Sequence, residues 1–341
     1  MDSNIFLIPF LLAFFVAIIL LFAIIKISQQ NFFLSIVNRN SLRHIHKVGI
    51  SRFAGVAIIL SFIFALLVNG KLVISNQLGG VFVASCAILI FGVLDDLWQL
   101  SWKKQLFFQT SIAVFVFLIG IKLEYITNPF GGIFLFQNNV GYALNLLLVV
   151  FWILLIMNAM NWVDGIDGVS GGISAIGALA ILFVSLRPEV NQPPVAIIAA
   201  ALFGSMLAFV VFNFNPAKIL AGTSGSVFMG FILAILALFA GAKIATTLLV
   251  LAIPIIDAVW VIVERLRVGG SIFKADQRHL HHRLLQLGWS QRKICIFYWL
   301  ITALIAIAAL NFGAIGKVII FLGVLFVMIS VYSSIRKKVN A

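Results

Sequence analysis

Only two of the 341 residues are cysteine, and Cys86 and Cys295 lie inside separate apolar segments, which excludes a disulfide framework. Charge is equally scarce, at 10% of residues against 63% hydrophobic ones. Strict residue-by-residue alternation is missing too. Runs such as "LIPFLLAFFVAIILLFAII", residues 7–25, do not read as the alternating ten-residue strands of a closed β-barrel, the one non-helical way to cross a bilayer. Neither a basic segment before this first run nor a small-residue cleavage site after it is present, so the sequence predicts a retained first helix and not a removed leader.

What remains is a succession of apolar stretches about 16 to 22 residues long, roughly the span of a bilayer core. They predict an all-α, polytopic membrane protein, with one integral-membrane domain over residues 1–341. Helices are expected near 5–25, 53–68, 77–94, 106–121, 141–157, 173–186, 194–212, 226–242, 244–263, 294–310 and 315–332, making about eleven spans. The formal net charge of +13 would suit nucleic acid in a soluble protein, but here the basic residues are topology signals and no nucleic-acid partner is expected. Alternate loops place eighteen of the 23 Lys and Arg on one face and only Lys71, Lys122, Arg187, Lys243 and Lys317 on the other. The richer face is expected in the cytoplasm, with the N-terminus outside and the C-terminus inside.

The acids follow the same division. Asp95, Asp96, Asp164, Asp167, Asp257, Glu264 and Asp276 fall at the cytoplasmic face, whereas Asp2, Glu124 and Glu189 fall outside. Topology rules ignore carboxylates, and ionisable groups at membrane depth are costly and mark function. A transporter would hold them near the midplane in matching positions of two repeated halves, and no internal repeat is evident. An enzyme drawing one substrate from the cytosol and another from the lipid would ring one interface with them.

In "NAMNWVDGIDGVSGG", residues 158–172, Asn158, Asn161 and Asp164 are spaced by three and share a helical face, and Asp167 continues the series. The intervening glycines allow tight turns and close approach to a ligand. Amide and carboxylate oxygens so arranged suit a hard cation carrying a phosphate-bearing ligand, since Mg²⁺ takes one or two carboxylates and completes its shell with water and phosphate. An ordinary polar turn is the bland alternative. Asp95 and Asp96, in "GVLDDLWQLSWKKQLFFQ", repel one another, so a metal or a basic partner is expected beside them; the plain reading is a solvated helix end balanced by Lys103 and Lys104. The loop 264–293 carries seven basic residues and three His. His279 and His282 share a helical face and, with Arg278 and Arg283, could hold a diphosphate. Zinc finds no cysteine there, and a basic loop on anionic headgroups is the other alternative.

Taken in order, "GVLDD", "NAMNWVDGIDGVSGG", "NFNPAKILAGTSGS" and "HLHHRLL" resemble the polyprenyl-phosphate N-acetylhexosamine-1-phosphate transferases, the membrane-type glycosyltransferase family 4 that includes MraY, WecA and WbpL. "HLHH", His279 to His282, is closer to the WecA and WbpL branch. The resemblance implies that an undecaprenyl-phosphate oxygen attacks the β-phosphorus of a UDP-N-acetylhexosamine. Lipid-diphosphate-sugar and UMP result, with Mg²⁺ (or Mn²⁺) as cofactor and the bacterial inner membrane as location, as the first step of a lipid-linked glycan such as O-antigen or a cell-wall polymer. It implies that Asp95 or Asp96 activates the lipid phosphate and helps hold the metal. Asp164 is implied as a metal ligand with Asn161 beside it, Asp167 as a nucleotide contact, and His279, His281, His282 and Arg265 as diphosphate and nucleotide contacts. Asn158, His46, Lys47 and Arg52 complete the implied substrate-binding set.

Three departures accompany the resemblance. Where the family's Gly-Asp-x-Gly-Ser places a second metal-ligand Asp, this chain has Thr223; "HKVGISRFAG" has lost two prolines and a glycine of the early motif; and Gln105 stands for a basic residue. Thr223 motivates an alternative, a weakened homologue that binds nucleotide sugar or polyprenyl phosphate without turnover.

Overall fold

Backbone amides and carbonyls find no water in hydrocarbon, so an apolar run satisfies them within itself as a helix. The computed structural model describes residues 4–30, 50–123, 125–128, 131–136, 138–239, 244–272 and 277–339, and among these the regular elements are helices apart from one small hairpin. The helices of the first half are α1 (Asn4–Gln30), α2 (Ala54–Leu67), α3 (Asn76–Trp98), α4 (Trp102–Leu118) and α5 (Asn138–Val163). They are followed by α6 (Val169–Ser185), α7 (Pro193–Asn213), α8 (Gly222–Phe239), α9 (Ile244–Val250), α10 (Ala252–Arg267), α11 (Leu280–Gln286), α12 (Gln291–Asn311) and α13 (Ala314–Val339). Local chemistry sets several boundaries. Ser75 and Ser290 cap α3 and α12 by accepting the Leu78 and Lys293 amides, and Pro193 opens α7 where its missing N–H costs nothing.

Among the described residues each of the eleven expected stretches falls on helix; besides α11, which lies in the expected loop 264–293, there are two differences. The stretch 244–263 is divided at Leu251 into α9 and α10, bent by 75°. Pro254 explains the break: it has no N–H for the Val250 carbonyl four residues back, and its ring crowds that carbonyl. The second difference is the antiparallel pair β1 (Tyr125–Thr127) and β2 (Ile133–Leu135), with Ile126 opposite Phe134, in a segment expected to be a plain loop. By length and composition α1, α3, α5, α7, α8, α12 and α13 can each cross a membrane, and α9 with α10 makes an eighth candidate. At 14, 17 and 17 residues, α2, α4 and α6 are shorter than the usual span of about 20.

The core is built around α8. It is apolar on every side and buried nearly throughout, enclosed by α2, α3, α5 and α6. Lipid supplies no hydrophobic drive between helices, so close approach depends on small residues. Gly92 of α3 shows this: a Cβ there would lie on the Ser224 backbone at the start of α8. That contact brings the Asp95-Asp96 end of α3 up to the first turn of α8.

Candidate active site

The C-terminal ends of α3 and α5, the start of α8, the end of α10 and the start of α11 surround one cavity of about 640 Å³. Of the residues that sequence reasoning singled out, Arg52, Asp95, Asp96, Asn158, Asn161, Asp164, Asp167, Thr223, Arg265, His279 and His282 all line it. The side chain of His281 is absent from the lining. It is buried behind the cavity, its ring stacked on His279 at 5.6 Å between centroids and packed against Gly165. His46 and Lys47 lie outside the described residues. A second wall is apolar, formed by Leu106 of α4, Phe151, Leu154 and Leu155 of α5 and Ile262 of α10.

The aspartate pair is held from both sides. Gln99, in the left-handed conformation, ends α3 and turns the chain so that the Leu100 amide reaches Asp95 Oδ1 at 2.9 Å. Gln105 Nε2 donates to the same oxygen at 2.9 Å, and Thr223 Oγ1 donates to Asp95 Oδ2 at 2.7 Å. Asp96 accepts the Thr223 amide, at 2.9 Å to Oδ2, and faces Arg52 Nε at 3.4 Å. Among the described residues neither Lys103 nor Lys104 forms an ion pair with the two acids, so the basic partner expected beside the pair is Arg52. Gly222 precedes Thr223 at φ 68°, where a side chain would collide with both the Arg52 carbonyl and the Asp96 carboxylate.

The signature turn divides its work. Asn158 Nδ2 donates to Gln109 Oε1 at 2.7 Å, and Asn161 Oδ1 accepts from Ser226 Oγ at 2.8 Å, tying α5 to α4 and α8. Asp167 Oδ2 accepts Asn215 Nδ2 at 2.8 Å and the Ala217 amide at 3.0 Å, so this acid braces the loop between α7 and α8. Asp164 accepts from the Ser170 hydroxyl. Burial pushes its carboxyl up to about 7, with Asp96 and Asp167 adding to the rise and Ser170 and Arg52 opposing it.

Opposite stand the bases. Arg265 donates to the Ile272 carbonyl at 2.5 Å and lies over the Trp162 ring. His279 Nδ1 is 2.8 Å from Asp257 Oδ2, while Asp257 Oδ1 accepts the Leu280 amide at 2.8 Å and the Tyr332 hydroxyl. Arg283, expected on the diphosphate, instead pairs with Glu264 and is absent from the lining.

Sequence reasoning did not assign Asp257, Gln105, Ser170, Ser226 or Asn215 to the site. Asp257 carried a signal as the one acid inside "IIDAVWVIV", and Gln105 as a departure from the family's basic residue; Ser170, Asn215 and Ser226 sit inside the quoted motifs without a role being assigned to them. Among the described residues no three His, Cys, Asp or Glu side chains form a ready-made metal cage. The donor set still fits Mg²⁺. Asp164 has a carboxylate that burial leaves short of compensating charge, other acids lie close enough to raise it further, and one or two carboxylates suffice when phosphate and water complete the shell. Thr223 adds no carboxylate to that set: its hydroxyl donates its proton to Asp95 and offers a cation only neutral lone pairs.

Residues 78–241 match the family described as glycosyl transferase family 4. The chain is 31% identical to the decaprenyl-phosphate N-acetylglucosaminephosphotransferase of Mycobacterium tuberculosis (strain CDC 1551 / Oshkosh), across 78% of this chain and 73% of that one. It is 28% identical to the probable undecaprenyl-phosphate N-acetylglucosaminyl 1-phosphate transferase of Bacillus subtilis (strain 168), across 86% and 83%. Identity to the phospho-N-acetylmuramoyl-pentapeptide-transferase of Aliarcobacter butzleri is 31%, across 78% and 82%.

Proposed function

Because the chain belongs to glycosyl transferase family 4, we propose that it transfers an N-acetylhexosamine-1-phosphate from a UDP-sugar to a polyprenyl phosphate and releases UMP. The observation that carries this reading is a single cavity whose one wall is acidic and basic side chains and whose other wall is hydrocarbon. A donor made of nucleotide, diphosphate and sugar needs the first, and an isoprenoid acceptor needs the second.

In the reaction a phosphate oxygen of the lipid forms a bond to the β-phosphorus, and the bond from that phosphorus to the bridging oxygen breaks, its electron pair leaving with UMP. Such transfers depend on alignment and charge neutralisation more than on covalent help from the protein. A phosphate monoester has a second pKa near 6, so the acceptor is largely ionised at neutral pH and deprotonation by Asp95 contributes little. Both oxygens of Asp95 already accept hydrogen bonds, so it serves as a fixed anion that shapes the acceptor site. Arg52 and Arg265 supply positive charge that a diphosphate requires, and His279 and His282 line the same cavity. Mg²⁺, held by Asp164 with Asp95 or Asp96 nearby, would offset the charge of the transferring phosphate.

The asymmetry of Lys and Arg supports a cytoplasmic cavity, an outer N-terminus and an inner C-terminus in a bacterial inner membrane. Eleven crossings require α2, α4 and α6 to span as short helices and α9 with α10 to act as one bent span. The product would initiate a lipid-linked glycan such as O-antigen or a cell-wall polymer. The test is UMP release from a panel of UDP-N-acetylhexosamines by membranes containing the protein, with undecaprenyl phosphate as acceptor. Turnover that EDTA abolishes is the expected outcome; no UMP from any donor would overturn the reading.

A further inference from the structure

His279 lines the cavity, yet the group that controls it lies outside the lining, on α10. A carboxylate can only accept, so the 2.8 Å contact between His279 Nδ1 and Asp257 Oδ2 places the proton on Nδ1 and leaves Nε2 as the nitrogen the ring can offer to the cavity. Asp257 is 1% exposed, and its other oxygen is occupied by the Leu280 amide and the Tyr332 hydroxyl. The Leu280 bond has a second effect. His279 is the N-cap of α11 but makes no capping bond with its own side chain, and Asp257 takes over that role from another helix. One buried carboxylate therefore fixes the start of α11, the rotation of the His279 ring and its tautomer, while Tyr332 of α13 holds the carboxylate in place.

We propose that Asp257 is a positioning residue for the transfer, acting through His279 to present an imidazolium to the diphosphate. The inference rests on the proposed transferase reading. As the bond to UMP breaks, negative charge grows on the departing phosphate, and a ring with protons on both nitrogens, steadied from behind by a carboxylate, answers it better than a neutral ring. This is the chemical logic by which a buried acid orients a catalytic histidine in hydrolases, here turned toward charge neutralisation.

Asp257→Asn separates the two contributions. The amide oxygen must face the Leu280 amide and Tyr332, so the NH₂ group faces His279 Nδ1, and the ring proton moves to Nε2. A neutral Nε2–H can still bond the bound donor substrate, but the positive charge is lost. The expected result is a kcat lower by roughly ten- to a hundredfold with KM changed less than about threefold, and no more than a twofold further loss when the change is added to His279→Gln. Asp257→Glu, which restores the anion, should recover part of kcat, and it carries the same cycle if the Asn variant does not fold. A full additive loss in the His279→Gln background, or an unchanged kcat, overturns the proposal while leaving the transferase reading intact. A wild-type protein that releases no UMP defeats that reading instead. The positioning is then decided by the ¹⁵N spectrum of histidine-labelled protein. The resonance absent from His279→Gln should report a protonated Nδ1 in the wild type and the Nε2–H tautomer in Asp257→Asn; the same tautomer in both overturns it.

Discussion

The proposed cation site turns on two side chains, Asp164 and the Thr223 that stands beside the Asp95-Asp96 pair. A carboxyl raised to about 7 from an ordinary 3.8 holds its proton in the folded state over a range where the unfolded chain has lost it. Without a divalent ion, the protein therefore loses stability as pH rises from about 4 through 7, and a cation that binds the ionised form restores it above 7. Thermal midpoints in EDTA should fall across that window, the rise produced by Mg²⁺ should be largest at its alkaline end, and Asp164→Asn should flatten both trends. The same substitution should lower turnover about a hundredfold, read as UMP release. At Thr223 the hydroxyl donates to Asp95 and the amide to Asp96, so Thr223→Asp exchanges a donor for a third carboxylate beside two others. That variant should be less stable than wild type in EDTA and show a larger Mg²⁺-induced rise in melting temperature. Equal responses would place the cation away from position 223.

Among the elements, the apolar runs were legible because hydrocarbon leaves a chain little choice but helix, and the acids stood out because lipid makes them costly. The break at Leu251 was written in Pro254 but masked by the unbroken apolar run around it. Strands of three residues, as in the β1–β2 hairpin, carry too little periodicity to be read. The signature turn at 158–172 announced its residues, whereas the partners of those residues did not appear. Ser226 lies 65 positions from Asn161, and Thr223 lies 128 from Asp95, separations that only the helix packing closes. The crossing of α3 and α8 closes the second of these, and Gly92 allows it. Gly92→Leu should cost about 3 kcal/mol by overpacking and should also abolish UMP release, since it drives Asp95 away from Thr223. Denaturation in detergent checks the first effect and the membrane assay the second.

Over the whole molecule, the excess of basic residues on one face makes a statement about orientation that the helices alone do not. A fluorescent protein fused after Ala341 should fold and fluoresce in cells, and a periplasm-dependent phosphatase fused there should stay inactive; the reverse would invert the orientation and move the cavity to the other side. Position within the bundle matters as much as orientation. Thr223 opens α8, a helix enclosed by neighbours on every side. A floor of that kind has no room to flex, and a ligand in the cavity bears instead on the start of α11, where His279 and His282 line it. Deuterium should enter the amides of residues 226–238 more slowly than anywhere else in the chain, and loading the cavity with UDP should leave that rate unchanged while slowing exchange in α11.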